Sequence, residues 1–520
     1  MSVAMPTELQ LIPKPVAPSS RTVQVYALPI NGSKFNSMDP IKIVVPTRAR
    51  SFLVQSESYF RVRLAFNTSA VSAALTVGTG TTAVTNVVNT AGALTSHSNY
   101  GIIPDGHISA IINRMQVSVG SQLLENTEHY NLVHSLMGDL QFNREQKINT
   151  TQAIMGGATD RDYGMTDPMN QYLVSTSTAA VNADITTFST FANPTTVGGS
   201  VLEAGQSETY CFAPISGVIG TNCTKFFPMY AINEGLIIDL YLENFKQAFK
   251  LCSNVNTTLT GSPQWVGASV LPTSCSNDQI ASAIVIDRIE YVASFLELDE
   301  SAFALYKRMN PSTSLNIPCS MYRQYQTSIP QFTSSIDMLV AARFSSIKSV
   351  FATLSPSALI NSFVTTSIQS RTKDNLQYAS LRINGIPFPQ KPLDFSGSGN
   401  SSQALMELEK CIRNTASYTA ALAFTAKDWK VGHANATAGN NAQLGAFALG
   451  FNLDQMRWTS THGGRSGLAT MDAPYYLSLQ FDTTVGASPG NQCSLYATVF
   501  NYIDADIVID ESTGQCVPFM

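Results

Sequence analysis

Charged residues are scarce in this sequence. They make up 13% of its 520 residues, against 44% hydrophobic residues, whereas an average soluble domain carries roughly 25% charged residues. A chain that hides much of its outside against copies of itself needs less solubilising charge, because less of its surface meets water. The shortage therefore favours an obligate oligomer, with a neutral extracellular β protein as the alternative.

Long apolar runs are also missing. No segment approaches the roughly 18 residues that a membrane-spanning helix needs. The first twenty residues, MSVAMPTELQLIPKPVAPSS, lack the apolar stretch that a secretory signal peptide contains. We therefore expect a chain that is made in the cytosol and has no membrane-spanning segment.

The sequence lacks paired cysteines. It has eight single ones, which are Cys211, Cys223, Cys252, Cys275, Cys319, Cys411, Cys493 and Cys516. Because none of them forms a CxxC pair, the pattern indicates neither a zinc site nor a redox motif. We interpret them as reduced and mostly buried thiols.

Catalytic motifs are missing or misplaced. The one GxSxG match, at 486–490, puts Ser488 before Pro489 in a polar stretch, whereas a nucleophile elbow lies between a strand and a helix. It follows the oxyanion-like HGG at 462–464, and no histidine lies downstream of it. There is also no P-loop. We therefore expect no catalytic residue and no enzymatic activity.

Metal-binding patterns are absent as well. A bicupin, the other common protein with two barrels in one chain, needs a His-x-His pair, and the six histidines include none. His129 and His134 are about 500° apart on a helix, so they do not share a face; we interpret them as helix-surface or interface residues. The acidic pairs 160/162 and 504/506 lack a full calcium loop and are interpreted as solvated acids in a turn and at a strand end. We expect no metal and no cofactor.

Nucleic-acid binding has little support in the charge pattern. The net charge is −5, and Trp265, Trp429 and Trp458 are too dispersed for a base-stacking platform. The first fifty residues differ, because they hold six basic and two acidic residues, a balance of +4. This segment allows at most weak, non-specific contact with DNA, and a solvated tail explains it equally well.

Alternation of apolar and polar residues is the dominant pattern that is present. It runs through five segments, which are 60–66, 115–119, 236–242, 477–481 and 493–499. Alternation with period two places apolar side chains on one face of a strand. Many short strands separated by Gly, Pro, Asn and Ser predict an all-β, antiparallel fold.

The same order of elements occurs twice. In the first half, the strand at 114–119 turns and leads to a helix within 126–140, which Asn126 or Thr127 can cap. In the second half, the strand at 378–383 turns at Asn384-Gly385, a type I′ signal, and precedes a helix at 402–414. Because the order is repeated without sequence identity, we infer a duplicated architecture.

A domain boundary is predicted near residue 310, since 520 residues exceed what one core usually supports. A long strand and a helix that Asp299 can cap occupy 284–309, and an extended linker follows at 310–318. The predicted parts are an arm at 1–20, a first domain at 21–309 and a second domain at 310–520. Two charge-poor stretches are predicted to form long loops at one end of the first domain, at 68–97 and 174–205.

Within 105–140, a Glu follows a hairpin and precedes a Tyr-Asn-containing helix that ends in Asp-Leu; these residues are Glu125, Tyr130, Asn131, Asp139 and Leu140. This segment resembles the double jelly-roll major capsid proteins of small eukaryotic double-stranded DNA viruses, and similar stretches lie at 212–220, 226–249, 381–395 and 475–520. The resemblance is to capsid proteins of virophages, polinton-like viruses and adintoviruses, which belong with the adenovirus and tailless-phage lineage.

The resemblance implies two tandem eight-stranded antiparallel jelly rolls with short helices in loops. It further implies homotrimeric, pseudo-hexameric capsomers that tile an icosahedral shell, with penton and minor capsid proteins as further partners. The proline-containing arm would reach under neighbouring capsomers, in a virion assembled in the host nucleus or a cytoplasmic factory. A carbohydrate-binding viral spike or lectin-like β protein is the alternative.

Overall fold

A computed structural model describes most of the chain. The described residues are 20–67, 100–142, 154–156, 201–223, 225–254, 265–267, 271, 275–357, 362–363, 368–369, 371–395, 402–415, 429, 446–454, 465–472, 474–482 and 494–520. Among these residues, none of the helices combines the length and apolar character that crossing a bilayer requires.

Strands dominate both halves of the chain. Those of the first half are β1 (Ser20–Ala27), β2 (Pro40–Val45), β3 (Ser51–Leu53), β4 (Tyr59–Phe66), β5 (Tyr100–Pro104), β6 (Ile112–Val119), β7 (Gln122–Thr127), β8 (Leu202–Glu203), β9 (Ser207–Phe212), β10 (Leu236–Leu242), β11 (Phe249–Asn254), β12 (Trp265–Gly267) and β13 (Ile284–Leu298). Those of the second half are β14 (Ser314–Ile329), β15 (Ser335–Val340), β16 (Ile347–Pro356), β17 (Leu376–Ile383), β18 (Ile386–Asp394), β19 (Leu449–Asn452), β20 (Tyr475–Phe481), β21 (Leu495–Asp510) and β22 (Gln515–Phe519).

The helices are short. They are α1 (Tyr130–Gln141), α2 (Phe245–Ala248), α3 (Asn277–Ala283), α4 (Glu300–Met309) and α5 (Ser402–Thr415). Helices α1 and α5 occupy corresponding places, because each follows a hairpin and precedes the next strand of its own half. The predicted repetition of strand, turn, strand and helix is confirmed.

The first half is a jelly roll. Eight of its strands, in chain order β1, β2, β4, β6, β7, β9, β10 and β13, form two antiparallel sheets of order β1-β13-β4-β9 and β2-β10-β6-β7. Numbered one to eight, the sheets read 1-8-3-6 and 2-7-4-5, which is the jelly-roll arrangement of two Greek keys. A further sheet, β12-β11-β5-β8, is formed by strands inserted between these eight.

The second half repeats this topology strand for strand. Its sheets are β14-β21-β16-β19 and β15-β20-β17-β18. With β14 to β21 numbered one to eight, the orders are again 1-8-3-6 and 2-7-4-5. The predicted all-β fold of two tandem eight-stranded jelly rolls is therefore confirmed, and we call the halves the first roll and the second roll.

The alternating segments form strands with one buried face, as predicted. In β4, Phe60, Val62, Leu64 and Phe66 are fully buried, whereas Arg61 between them is exposed. The turn between β17 and β18 has positive φ at Asn384 (50°) and Gly385 (79°). A type I′ turn requires this conformation at both central residues, so this prediction is also confirmed.

Two local predictions are wrong. Asn126 and Thr127 do not cap α1, because both are paired with β6 as part of β7; the residue before α1 is His129, in the left-handed conformation with φ 46°. The extended linker is shorter than 310–318, since β14 already begins at Ser314 and pairs there with Asp510. Asp299 does stand at the N-cap position of α4.

The predicted long loops fall almost entirely outside the described residues. Residues 68–97 lie outside the described residues, as does 174–205 except for its last five positions. Those five residues contain β8, which pairs with β5. The arm at 1–20 is described only at Ser20, where β1 begins opposite Leu298.

Candidate functional site

The two rolls meet in a buried junction, formed by β7 and residues 213–223 of the first roll against β14 and β22 of the second. The Ser320 amide donates a hydrogen bond to the Asn222 carbonyl at 3.0 Å, at the edge of β14. The Arg323 guanidinium on β14 donates to the carbonyl of Asn126 on β7. Backbone and side chain thus both tie one roll to the other.

Close approach at the junction depends on Gly217. A Cβ atom at this position would lie 2.9 Å from the Ser320 carbonyl oxygen and 3.1 Å from the Cys319 sulfur. Backbone atoms cannot yield to such a contact without moving β14. Glycine is therefore the residue that lets the 213–223 segment pack on the second roll.

Glu125 organises this segment from within the first roll. Its carboxylate is buried and accepts hydrogen bonds from the Ser216 hydroxyl, the Gly217 amide at 3.1 Å and the Val218 amide at 3.3 Å. Loss of hydration raises the pKa of the Glu125 carboxyl, although these hydrogen bonds and the charge of Arg323 act in the opposite direction. The residue therefore shapes the surface that meets β14.

The next motif residues support the same segment. The Tyr130 hydroxyl accepts a hydrogen bond from the Ile215 amide at 2.9 Å. The Asn131 side chain donates to Glu243 at 2.9 Å, and Leu140 is buried in the core. Tyr130 thereby holds α1 against the segment that the second roll contacts, and Asn131 ties α1 to the residue that follows β10.

A buried ion pair crosses between the rolls at the other end of α1. Asp139 pairs with Arg371, and their side chains are only 7% and 4% exposed. Beside it, the Ile368 amide donates to the Asp105 carboxylate at 2.7 Å, and Gln141 donates to the Thr415 hydroxyl at 3.1 Å. Buried charges require such partners, so this cluster fixes how the rolls are oriented.

A third set of contacts lies next to α4. The Tyr230 hydroxyl donates to Glu511 at 2.7 Å, and Glu511 also pairs with Lys307 of α4. The Asn233 side chain donates to the Thr513 carbonyl at 2.6 Å. The loop after β21 is thereby attached to the first roll, and the two rolls form one block.

The interpretation of His134 as a surface or interface residue is wrong. It is buried, and its Nδ1 lies 3.0 Å from His107 Nε2. The other nitrogen of His107 lies 2.5 Å from the Ser109 hydroxyl. Burial, and then the neighbouring His107, lower the pKa of His134 well below its ordinary value. No local pattern indicates this pair, because His107 lies outside the helix that carries His134.

The buried histidine pair predicts a pH dependence of stability. Because the pKa of His134 is lower in the folded chain than the unfolded value of 6.5, its contribution is present above pH 6.5 and is lost as pH falls through the folded pKa. The slope for one group is at most about 1.4 kcal/mol per pH unit. We expect melting temperatures between pH 7.5 and 5 to fall less steeply for His134→Gln than for the wild type.

Replacement of the partly buried His129 with Gln is the control. Burial also lowers the pKa of His129, but less than that of His134, so most of the wild-type slope of melting temperature against pH should remain. Equal slopes in His134→Gln and the wild type would show that the buried pair does not govern this pH dependence.

The acids at 504 and 506 are not solvated residues at a strand end. Both lie inside β21, where Asp504 is buried and pairs with Lys348 at 2.5 Å. Asp506 pairs with Arg465 at 3.3 Å. Alternation alone could not show this, because the basic partners come from other segments of the chain.

The other sequence motifs lie partly inside and partly outside the described residues. Within the described parts of the chain, no group of three or more His, Cys, Asp or Glu residues could hold a metal ion. Trp429 is buried, and its indole donates to the Ala448 carbonyl at 2.8 Å. The GxSxG match at 486–490, the HGG at 462–464 and the acids 160/162 lie outside the described residues.

Comparisons with known proteins agree with this architecture. No family model and no curated protein sequence matches the chain. A chain of the cryo-EM structure of the Sputnik virophage matches 100% of this chain and 93% of its own length, with 11% identity and a TM-score of 0.53. Two other matches have TM-scores below 0.5. The match to the mavirus major capsid protein covers 100% of this chain and 95% of that protein, with 8% identity and a TM-score of 0.49. The match to the Faustovirus major capsid protein covers 97% of this chain and 93% of that protein, with 11% identity and a TM-score of 0.48. The Sputnik match, whose TM-score exceeds 0.5, shows a shared fold over the whole chain, in agreement with the two jelly rolls described above.

Proposed function

We propose that this chain is a major capsid protein, with a structural rather than an enzymatic role. The observation that carries the proposal is the duplication: two rolls of identical topology are locked into one block by the junction. A block of two equivalent units can tile a surface as if it were two subunits. The full-length likeness to a virophage chain supports the same role.

The proposed assembly is a homotrimer. Three chains supply six rolls, so the capsomer has a pseudo-hexameric outline and packs with its neighbours into an icosahedral shell. The proposed parts are an arm at 1–20, a first roll at 21–309 and a second roll at 310–520. The low charge of the chain supports an extensively covered surface.

Further partners extend this proposal. They are penton and minor capsid proteins, with at most weak and non-specific contact between the basic N-terminal segment and packaged DNA. The chain would be synthesised in the host cytosol and reside in the virion, after assembly in the nucleus or a cytoplasmic factory.

Negative-stain electron microscopy of the purified protein, combined with light scattering, tests the proposal. We expect particles of three times 56.1 kDa with a pseudo-hexagonal outline, or closed shells. Monomers or dimers without that outline would contradict the tiling role.

One surface feature favours the carbohydrate-binding alternative. The sheet β15-β20-β17-β18 carries an open groove of about 560 Å³, lined in part by Asp337, Tyr378, Arg382 and Gln480. Aromatic and polar side chains together are the usual lining of ligand sites. Glycan binding by a small oligomer that never forms shells would favour this alternative over the capsid role.

A further inference from the structure

Two cysteines from different rolls face each other at the junction. Cys223 ends the 213–223 segment of the first roll, Cys319 lies on β14 of the second, and the two form an isolated antiparallel bridge. Both are thiols. In the strand pairings that the structure describes, no other cysteine lies opposite a cysteine. The fold therefore brings together two thiols that are far apart in the sequence.

The backbone geometry of this bridge suits a disulfide. The Ser320 amide donates to the Asn222 carbonyl at 3.0 Å, so the hydrogen bond joins residues that flank the two cysteines and not the cysteines themselves. The Cα atoms of such a non-hydrogen-bonded antiparallel pair lie about 4.5 Å apart, with their side chains on the same face. Disulfides join Cα atoms about 4.4–6.8 Å apart. Closing the bond therefore requires side-chain rotation and no rearrangement of the two backbones.

Both sulfur atoms already lie between the two segments. The Cys223 sulfur is 3.8 Å from the carbonyl oxygen of Pro318, the residue before Cys319, and it donates to the Lys225 carbonyl at 3.0 Å. The Cys319 sulfur lies on the side of β14 that faces Gly217. Each sulfur thus lies against the opposite segment, and rotation about the Cα–Cβ bonds can bring the two into contact.

The two thiols differ in their access to solvent. Cys223 is partly exposed, whereas Cys319 is only 5% exposed. Burial, and then the neighbouring Cys223, raise the pKa of the Cys319 thiol well above its ordinary value. The thiolate is the reacting form of cysteine. Cys223 is therefore the thiol that a soluble oxidant meets first, and Cys319 reacts with a sulfur that is already beside it.

We propose that Cys223 and Cys319 are a redox-sensitive pair whose oxidation joins the two rolls by a covalent bond. The oxidant is a small disulfide of the glutathione type. The Cys223 thiolate attacks one sulfur of this disulfide and releases one glutathione thiolate; the Cys319 thiolate then attacks Cys223 in the mixed disulfide and releases the second. Two protein thiols are oxidised, one small disulfide is reduced to two thiols, and the two protons pass to the thiolates that leave.

The bond would lock the rolls where they already meet. It closes a loop of about 100 residues, and in the chain-entropy model such a cross-link stabilises by restricting the unfolded chain. The cytosol keeps thiols reduced, whereas the surfaces of released virions are oxidising. In this setting, which rests on the proposed capsid function, the chain folds as a dithiol and is locked after release. The thiol chemistry itself belongs to the single chain and needs no trimer.

Peptide mapping without reductant tests the pair. The purified chain is incubated with oxidised glutathione at mildly alkaline pH, the remaining thiols are alkylated, and the digest is analysed by mass spectrometry. We expect a linked peptide that contains Cys223 and Cys319 and that disappears after treatment with dithiothreitol. Alkylation of both thiols, or a glutathione adduct that stays on Cys223, would overturn the proposal.

Melting curves test whether the bond acts as a lock. The oxidised wild type should melt roughly 3–5 °C above the reduced chain. Cys223→Ser should lose this difference, whereas the matched control Cys275→Ser, which replaces another partly exposed thiol, should keep both the difference and the linked peptide. A linked peptide without a change in melting temperature would contradict the lock. Either negative result leaves the capsid role standing, because particle morphology in electron microscopy tests that role separately.

Discussion

Replacing Arg371 with Met is expected to lower the free energy of unfolding by about 3–5 kcal/mol. The change leaves the Asp139 carboxylate in the buried cluster without its cation, because both side chains are almost fully covered where the rolls meet. Leaving a buried charge without an opposite charge lowers the free energy of unfolding far more than the loss of a surface ion pair does. Since the pair crosses between the rolls, we expect differential scanning calorimetry to show a lower melting temperature and two less coupled transitions.

An exposed ion pair provides the matched control. Arg382 and Asp337 lie 3.9 Å apart with side chains 52% and 57% exposed, so Arg382→Met should cost less than about 1 kcal/mol. The double variant Asp139→Leu/Arg371→Met removes both charges, and we expect it to recover most of the stability. An Arg371→Met chain as stable as the Arg382→Met control would show that the pair does not hold the rolls together.

The strands, and the repeated order of strand, turn, strand and helix, could be predicted from the sequence. This is possible because every second side chain of a strand with one buried face points into the core. The alternation in 60–66 or 236–242 decides which side chains enter the core whatever partner the strand finds. Asn384-Gly385 similarly determines its own turn by backbone preference. Such local signals were sufficient for the all-β class and the repeated order of elements, whereas the two jelly rolls were expected from the family resemblance.

Contacts between distant segments could not be predicted in this way. Alternation does not show which strand pairs with which, so the partners of Asp139 and Asp504 were missed although both acids were noted. His134 lies on a predicted helix, and only the fold brings His107 to it. Side chains whose role depends on a partner 27 or 232 residues away have no local signature.

For Glu125, the sequence resemblance identifies the residue, but only the fold shows its role. Its carboxylate accepts hydrogen bonds from the turn at 216–218, which lies 91 to 93 residues further along the chain. A carboxylate in the core is expensive unless hydrogen-bond donors surround it. The donors here come from the segment that contacts the second roll, so the charge is connected to the junction.

Glu125→Ala is expected to lower the free energy of unfolding by about 3 kcal/mol or more at pH 7. The substitution leaves the Ser216 hydroxyl and the Gly217 amide without their acceptor, whereas the Val218 amide keeps its hydrogen bond to the Ser216 hydroxyl oxygen at 3.1 Å. Each buried donor without a partner costs about 1–3 kcal/mol. Relief of the desolvated charge offsets part of this loss. Glu125→Gln, which keeps one carbonyl oxygen in place, should lose less. Chemical denaturation measures the differences, with the exposed Glu128→Ala as a control close to the wild type.

The pH profile separates the charge of Glu125 from its hydrogen bonds. Its folded pKa is raised above the ordinary value of 4.5, so its contribution to stability is fully present below pH 4.5 and is lost as pH rises through the folded pKa. The free energy of unfolding of the wild type should therefore rise relative to that of Glu125→Gln as pH falls through this window. The Glu128→Ala variant should show the same dependence of stability on pH as the wild type. If Glu125→Gln and the wild type instead show parallel profiles, the carboxyl titrates alike in the folded and unfolded chains, and the junction does not depend on a desolvated charge.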